Sequence, residues 1–141
     1  MLNVKASRPA VFVDTNIFVD VLEARTGWIG SFAVINGVWN GSYEGYISAL
    51  TVTHLYFRRK RILGKELGAR DDVWTMIKGF QIVEMNSTIL QQSKDDDFKD
   101  FEDAIQYYSA KRRCDIIITR NKRDFPHKDV KILNPEELLH R

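Results

Sequence analysis

From Asp100 to Phe125 the chain reads DFEDAIQYYSAKRRCDIIITRNKRDF. At its centre, Asp115 to Thr119 (DIIIT) is apolar and β-branched, as a strand covered on both faces must be. Ahead of it, Phe101, Ala104, Ile105 and Tyr108 recur with helical period and predict a helix over 100–112 whose apolar stripe faces a core. Further out, Ala10 to Val13 (AVFV), Gly45 to Ser48 (GYIS), Gln81 to Met85 (QIVEM) and Val130 to Leu133 (VKIL) each have the length of a strand. Helices are expected between them at about 15–24, 29–40, 51–63, 66–79 and 87–97, with a short one at 135–140 opened by Pro135. Ser48 to Thr51 and Asn86-Ser87 supply N-cap residues where strands hand over to helices. This alternation is the pattern of an α/β fold: a mostly parallel five-stranded sheet with helices on both faces, in one domain over 1–141.

A chain of 141 residues suits one core and leaves little for a second. With 44% hydrophobic and 28% charged residues, collagenous, low-complexity and wholly disordered classes are excluded. Lys and Arg number 21 against 19 Asp and Glu, a net charge of +2, so any affinity for nucleic acid must come from local patches. Cys114 is the only cysteine, which excludes an intrachain disulfide and a Cys-based zinc site and fits a reducing cytoplasm. The opening MLNVKASRPA has no apolar core of the kind a signal peptide carries, and no apolar run reaches a membrane span; neither export nor a membrane location is expected.

In an open parallel sheet, ligands bind just beyond the carboxyl ends of the strands. Asp14 follows AVFV directly, and Asp124 lies shortly after DIIIT in Thr119-Arg120-Asn121-Lys122-Arg123-Asp124. Each has a plain structural alternative, which for Asp14 is to cap the next helix. Asp100 and Asp103 begin the helix of the opening stretch, where a spacing of three brings their Cβ atoms about 5–6 Å apart. Capping and the helix dipole account for them equally well. Two unit charges 4 Å apart repel by roughly 4 kcal/mol at an effective dielectric of about 20, so converging acids must hold protons or recruit a cation. Oxygen ligands without Cys and with few His suit Mg²⁺ or Mn²⁺.

VFVDTNIFVD at 11–20, ISALTVTHLY at 47–56 and the stretch 100–125, in that order and spacing, resemble a PIN domain. That is the fold of many metal-dependent ribonucleases and of the toxin in many prokaryotic toxin–antitoxin pairs. The resemblance spans nearly the whole chain. It implies that Asp14, Asp103 and Asp124 are catalytic and hold the metal, with Asn16, Asp100, Thr119 and Asn121 as supporting polar residues. One position departs from the pattern: the helix after the second strand usually carries a Glu, and His54 stands there. An imidazole can bind Mn²⁺ or hydrogen-bond a metal-held water, but it removes a negative charge and shifts preference away from Mg²⁺. The plain alternative is a polar residue at a helix edge.

The implied function is a metal-dependent endoribonuclease that hydrolyses RNA phosphodiester bonds with water as nucleophile, using one or two ions, about 3.5–4 Å apart when two are present. The alternative, on account of His54, is a PIN-like module that binds RNA or protein and cleaves poorly. Partners implied by the family are RNA and an antitoxin whose side chain enters the acidic pocket. Arg120 and Lys122 share a loop with Asp124 and are expected to meet substrate. The clusters Arg58-Arg59-Lys60-Arg61 and Lys111-Arg112-Arg113, and Lys128, read first as solvated faces. Tyr107, Tyr108 and Trp74 could stack on bases or pack in the core, and Asp95-Asp96-Asp97 reads as a solvated helix end. Trp28, Phe32 and Trp39 could form a homodimer face or be buried. No GxSxG elbow or Walker-type loop occurs, and QIVEM and VKIL do not end in the Asp and Lys expected of a signalling receiver.

Overall fold

The computed structural model describes residues 8–141. In chain order it has β1 (Ala10–Val13), α1 (Thr15–Leu22), α2 (Trp28–Trp39), β2 (Glu44–Ser48), α3 (Ala49–Leu63), α4 (Ala69–Met76) and β3 (Gln81–Val83). There follow α5 (Ser87–Asp95), α6 (Phe101–Lys111), β4 (Ile116–Ile118), β5 (Lys131–Leu133) and α7 (Pro135–Leu139), with a 3-10 turn at Lys122–Asp124 before β5. The strands form one sheet in the order β3-β2-β1-β4-β5, and every pair is parallel.

The two-residue period of a strand divides the core into two layers. Val11, Val13, Ile47, Ile116 and Ile118 face one side, where they pack with Ile17 and Phe18 of α1, Val34 and Ile35 of α2, Leu55 of α3, Val73 of α4 and Leu138 of α7. Phe12, Tyr46 and Ile117 face the other, against Ile89 of α5 and Ile105 and Tyr107 of α6. The register pairs Val11 with Ile116, Phe12 with Ile117 and Val13 with Ile118, so the central strands present matching faces. Each such side chain removed from water contributes roughly 1.5–3 kcal/mol, which explains why β4 has no polar position at all.

Several elements are shorter than predicted, among them the first helix, α4 and β3. The first helix stops at Leu22 because Ala24 turns into the left-handed region at φ 50°. α4 starts only after Gly68, itself left-handed at φ 88°, and ends before Gly79 at φ 81°. β3 ends at Val83, pairing with β2 at Gln81, Ile82 and Val83. The stripe on α6 also differs: Ala104, Ile105 and Tyr107 are buried, whereas Phe101, the first residue of the helix, is 55% exposed. No described helix is long and apolar enough to cross a membrane.

Candidate active site

The strand order runs outward in both directions from the centre of the sheet, and β1 and β4 sit side by side where it divides. A crevice must open beyond their carboxyl ends. Asp14 stands in it as the N-cap of α1, its backbone N–H bonded to the Ile118 carbonyl of β4 at 2.9 Å. One carboxylate oxygen accepts from the Thr15 N–H at 2.8 Å and the other from the Thr119 hydroxyl at 2.8 Å. The capping role and the site position therefore coexist in one residue. Desolvation is the main influence on Asp14 and raises its pKa; the Thr119 and Thr15 bonds pull it back, and the Asp124 charge raises it further.

Thr119 gathers the supporting residues. Its hydroxyl donates to Asp14 and accepts from the Asn16 side-chain amide at 3.4 Å and the Asn121 backbone N–H at 3.1 Å. Across the cleft, Asp100 caps α6 by accepting from the Asp103 N–H at 3.0 Å, which leaves Asp103 on the first turn. The Asp103 pKa is raised to about 7, chiefly by burial, then by the charges of Asp100, Asp124, Asp14 and Glu102. Asp14, Asp103 and Asp124 line one cleft of about 250 Å³ together with Asn16 and Asn121. Asp100 stays outside that lining and acts on it through the cap and its charge.

Among the described residues, none of the three acids is paired with a Lys or Arg. Among the same residues, no three His, Cys, Asp or Glu side chains converge tightly enough to hold a metal with protein atoms alone. The donor set is nonetheless one that fits a hard dication: carboxylate oxygens, with the pKa of Asp103 raised to about 7 by burial and then by its acidic neighbours, in a hollow with room for water. Mg²⁺ in particular retains several of its waters when bound by one or two carboxylates. Two larger hollows, of about 410 and 430 Å³, lie elsewhere, one beside Trp39 and Gly79 and one at the amino ends of β1, β4 and β5. Neither gathers carboxylates.

His54 lines the cleft from α3, and its Nε2 lies 3.3 Å from Glu102 Oε1 of α6. Glu102 was not singled out by the sequence as a cleft residue. A polar network also joins the starts of α1 and α3 to the middle of α6: Ser48 donates to Gln106 Oε1, and Gln106 Nε2 donates to Thr51 at 3.2 Å and Thr15 at 3.4 Å. Thr15 and Thr51 share a hydrogen bond of 2.9 Å. Gln106 had a legible signal, since it lies one turn after Asp103 on a helix otherwise sorted into core and solvent.

The loop cations require a correction. Arg120 does not line the cleft: it donates to Asp20 at 3.3 Å, to the Gly27 carbonyl at 2.7 Å, to Ser31 at 3.2 Å and to Glu136, fastening α1, α2 and α7 together. Lys122 pairs with Glu137 at 2.8 Å and stays half-exposed. Nor is Asp96 simply solvated, because it accepts from Tyr108 and meets His127 Nε2 at 2.8 Å, and these bonds lower its pKa. Tyr107 is buried in the core and Trp74 is exposed on α4. Trp28 and Trp39 are each about two-fifths exposed, with Phe32 edge-on to Trp39 at 5.8 Å.

Comparison with known proteins follows the same lines. Over 137 residues, 93% of this chain and 94% of the relative, the sequence is 28% identical to Ribonuclease VapC1 of Aquifex aeolicus (strain VF5). The crystal structure of VapBC2 from Rickettsia felis bound to a DNA fragment from their promoter matches with a TM-score of 0.66 at 11% identity, covering 89% of this chain and 98% of that one; this is a likeness of fold. The PIN domain profile matches residues 10–123, from β1 to the turn that follows β4. Over most of its length, then, this chain belongs to the PIN domain family.

Proposed function

We propose that the chain is a divalent-metal-dependent ribonuclease that hydrolyses RNA phosphodiester bonds in the Asp14–Asp103–Asp124 cleft, as the toxin of a toxin–antitoxin pair. The observation that carries this reading is the gathering of three carboxylates from distant parts of the chain into one hollow without a cationic partner among the described residues. Its similarity to a relative named Ribonuclease VapC1 supports the same activity class. Asp14, Asp103 and Asp124 would hold Mg²⁺ or Mn²⁺. A divalent ion supplies Lewis-acid stabilisation of phosphoryl oxygens and a more acidic water.

The chain's own part is to fix and insulate that site. Thr119 and the Thr15 N–H hold both Asp14 oxygens in one orientation, so no rotamer has to be selected when substrate arrives. The Asp100 cap keeps Asp103 on the first turn of α6, and the Gln106 network ties the middle of α6 to the starts of α1 and α3. His54, beside Glu102, is placed to hydrogen-bond a phosphoryl oxygen or a water at the cleft mouth. A cytoplasmic location, a protein antitoxin, and self-association through Trp28 and Trp39 complete the proposal.

A second reading, an RNA- or protein-binding module that cleaves poorly, is favoured by the loose arrangement of donors among the described residues and by His54. Incubation of single-stranded RNA with the wild-type chain and with Asp14→Asn and Asp103→Asn, in Mg²⁺, Mn²⁺ or chelator, separates the two. Cleavage by wild type alone, abolished by chelator, is the expected result. Equal cleavage by variants and wild type marks a contaminant, and retained RNA binding without cleavage establishes the binding module.

A further inference from the structure

We infer that Arg25 and Arg58 form a phosphate-binding subsite in the wall of the acidic cleft, which holds the backbone of single-stranded RNA beside the carboxylates. The inference rests on the ribonuclease reading for its choice of polyanion. Both guanidinium-bearing residues line the same hollow as Asp14, Asp103 and Asp124. Leu50, His54 and Arg58 follow one another at four-residue spacing on α3, so they form one stripe, with a rise of about 6 Å per step. Arg25 faces that stripe from the connection between α1 and α2. A cleft lined by both carboxylates and two guanidinium groups suits a substrate that carries several phosphates in a row, one for the acids and the next for the arginines.

Neither arginine has its donors exhausted. Arg58 uses Nε and Nη2 on the two oxygens of Glu23, which orients the planar group and leaves Nη1 and one Nη2 hydrogen for a ligand. Arg25 makes only a 3.7 Å approach to Asp20, with half of its side chain exposed. The Ser31 hydroxyl at 2.7 Å and Arg120 at 3.3 Å both bind Asp20 Oδ2, and the 3.7 Å approach of Arg25 to Oδ1 is too long for a hydrogen bond, so Arg25 is only loosely held. The backbone also directs Arg25: Ala24 is left-handed at φ 50°, and the Arg25 N–H returns to the Asp20 carbonyl at 2.9 Å, reversing the chain at the cleft. It is the one described non-glycine residue with positive φ. Arg120, by contrast, is held by four partners and supplies no donor to the hollow.

The test measures binding of a fluorescein-labelled single-stranded RNA oligonucleotide to the full chain in the Asp103→Asn background, as a function of salt. Arg25→Gln and Arg58→Gln are each expected to weaken binding about 5- to 20-fold at roughly 100 mM salt and to lower the slope of log K against log salt by about 0.7. Lys60→Gln, on α3 but outside the cleft lining, is expected to change affinity less than about twofold. Melting temperatures of all variants establish that they fold. Folded arginine variants that bind like the parent, or an equal loss in Lys60→Gln, overturn the subsite; so does preference for an acidic peptide over RNA. If the wild type never cleaves RNA but binding still depends on both arginines, the subsite stands and the ribonuclease reading falls.

Discussion

Thr119 has one hydroxyl proton and two lone pairs, and the cleft uses all three, on Asp14, Asn16 and Asn121. Thr119→Val keeps the shape but leaves a carboxylate oxygen and two N–H donors short of a partner, so it should cost about 1–3 kcal/mol by thermal denaturation and depress cleavage at the same time. Asp103 carries the opposite cost. Its folded pKa of about 7 lies above the ordinary 3.8, so its contribution to stability is present below pH 4 and is lost as pH rises through 7. In chelator, wild type should therefore lose stability between pH 5 and pH 8 relative to Asp103→Asn. At pH 8 the variant should be the more stable by about 1 kcal/mol, a figure kept small because the side chain is partly solvated. A wild type that gains on the variant over that interval contradicts the electrostatic picture. Thr119 was legible in the sequence at the end of a strand and Asp103 as an acid at the beginning of a helix. What hides from sequence is which of two cations on the loop turns inward, because Arg120 and Lys122 differ only by the direction the backbone gives them.

At the level of elements, strands and helices were readable because hydrophobic period and cap residues agree. Ile116–Ile118 are all buried, Asn86 caps α5 by accepting from Ile89 at 3.0 Å, and Asn134 forms a capping box with Glu137 ahead of α7. Ends failed where one residue's φ decides, as at Ala24. An alanine held left-handed costs roughly 1–2 kcal/mol, part of which a glycine recovers despite its greater freedom when unfolded. Ala24→Gly should raise the melting temperature by a degree or more while weakening RNA binding through a less fixed Arg25; a lower melting temperature argues that the turn is unstrained. On α6, Ser109 is fully buried, and its hydroxyl has no hydrogen-bond partner among the described residues. Ser109→Ala removes that orphan and improves helix propensity, so denaturant unfolding should show a gain of about 0.5–1.5 kcal/mol.

At the level of the whole molecule, sheet order is what no local pattern discloses. Placing β1 beside β4 rather than beside β5 or β3 brings residues 14 and 119 within hydrogen-bond reach, and it brings α6 over the same end of the sheet. The positions of Asp14, Asp103 and Asp124 could be nominated from the chain; their convergence is a property of topology. The same topology explains why His54 and Glu102 meet, although they lie on α3 and α6 and share no motif. The central claim is that these acids gather closely enough for a divalent ion to relieve their repulsion. Calorimetric titration of Mn²⁺ into metal-free chain at pH 7 tests it most directly, run in buffers of different ionisation enthalpy. The account predicts saturable binding with proton release, since Asp103 is partly protonated beforehand, and loss of both signals in Asp14→Asn and in Asp103→Asn. Binding of equal strength in wild type and both variants, or none in wild type, contradicts it.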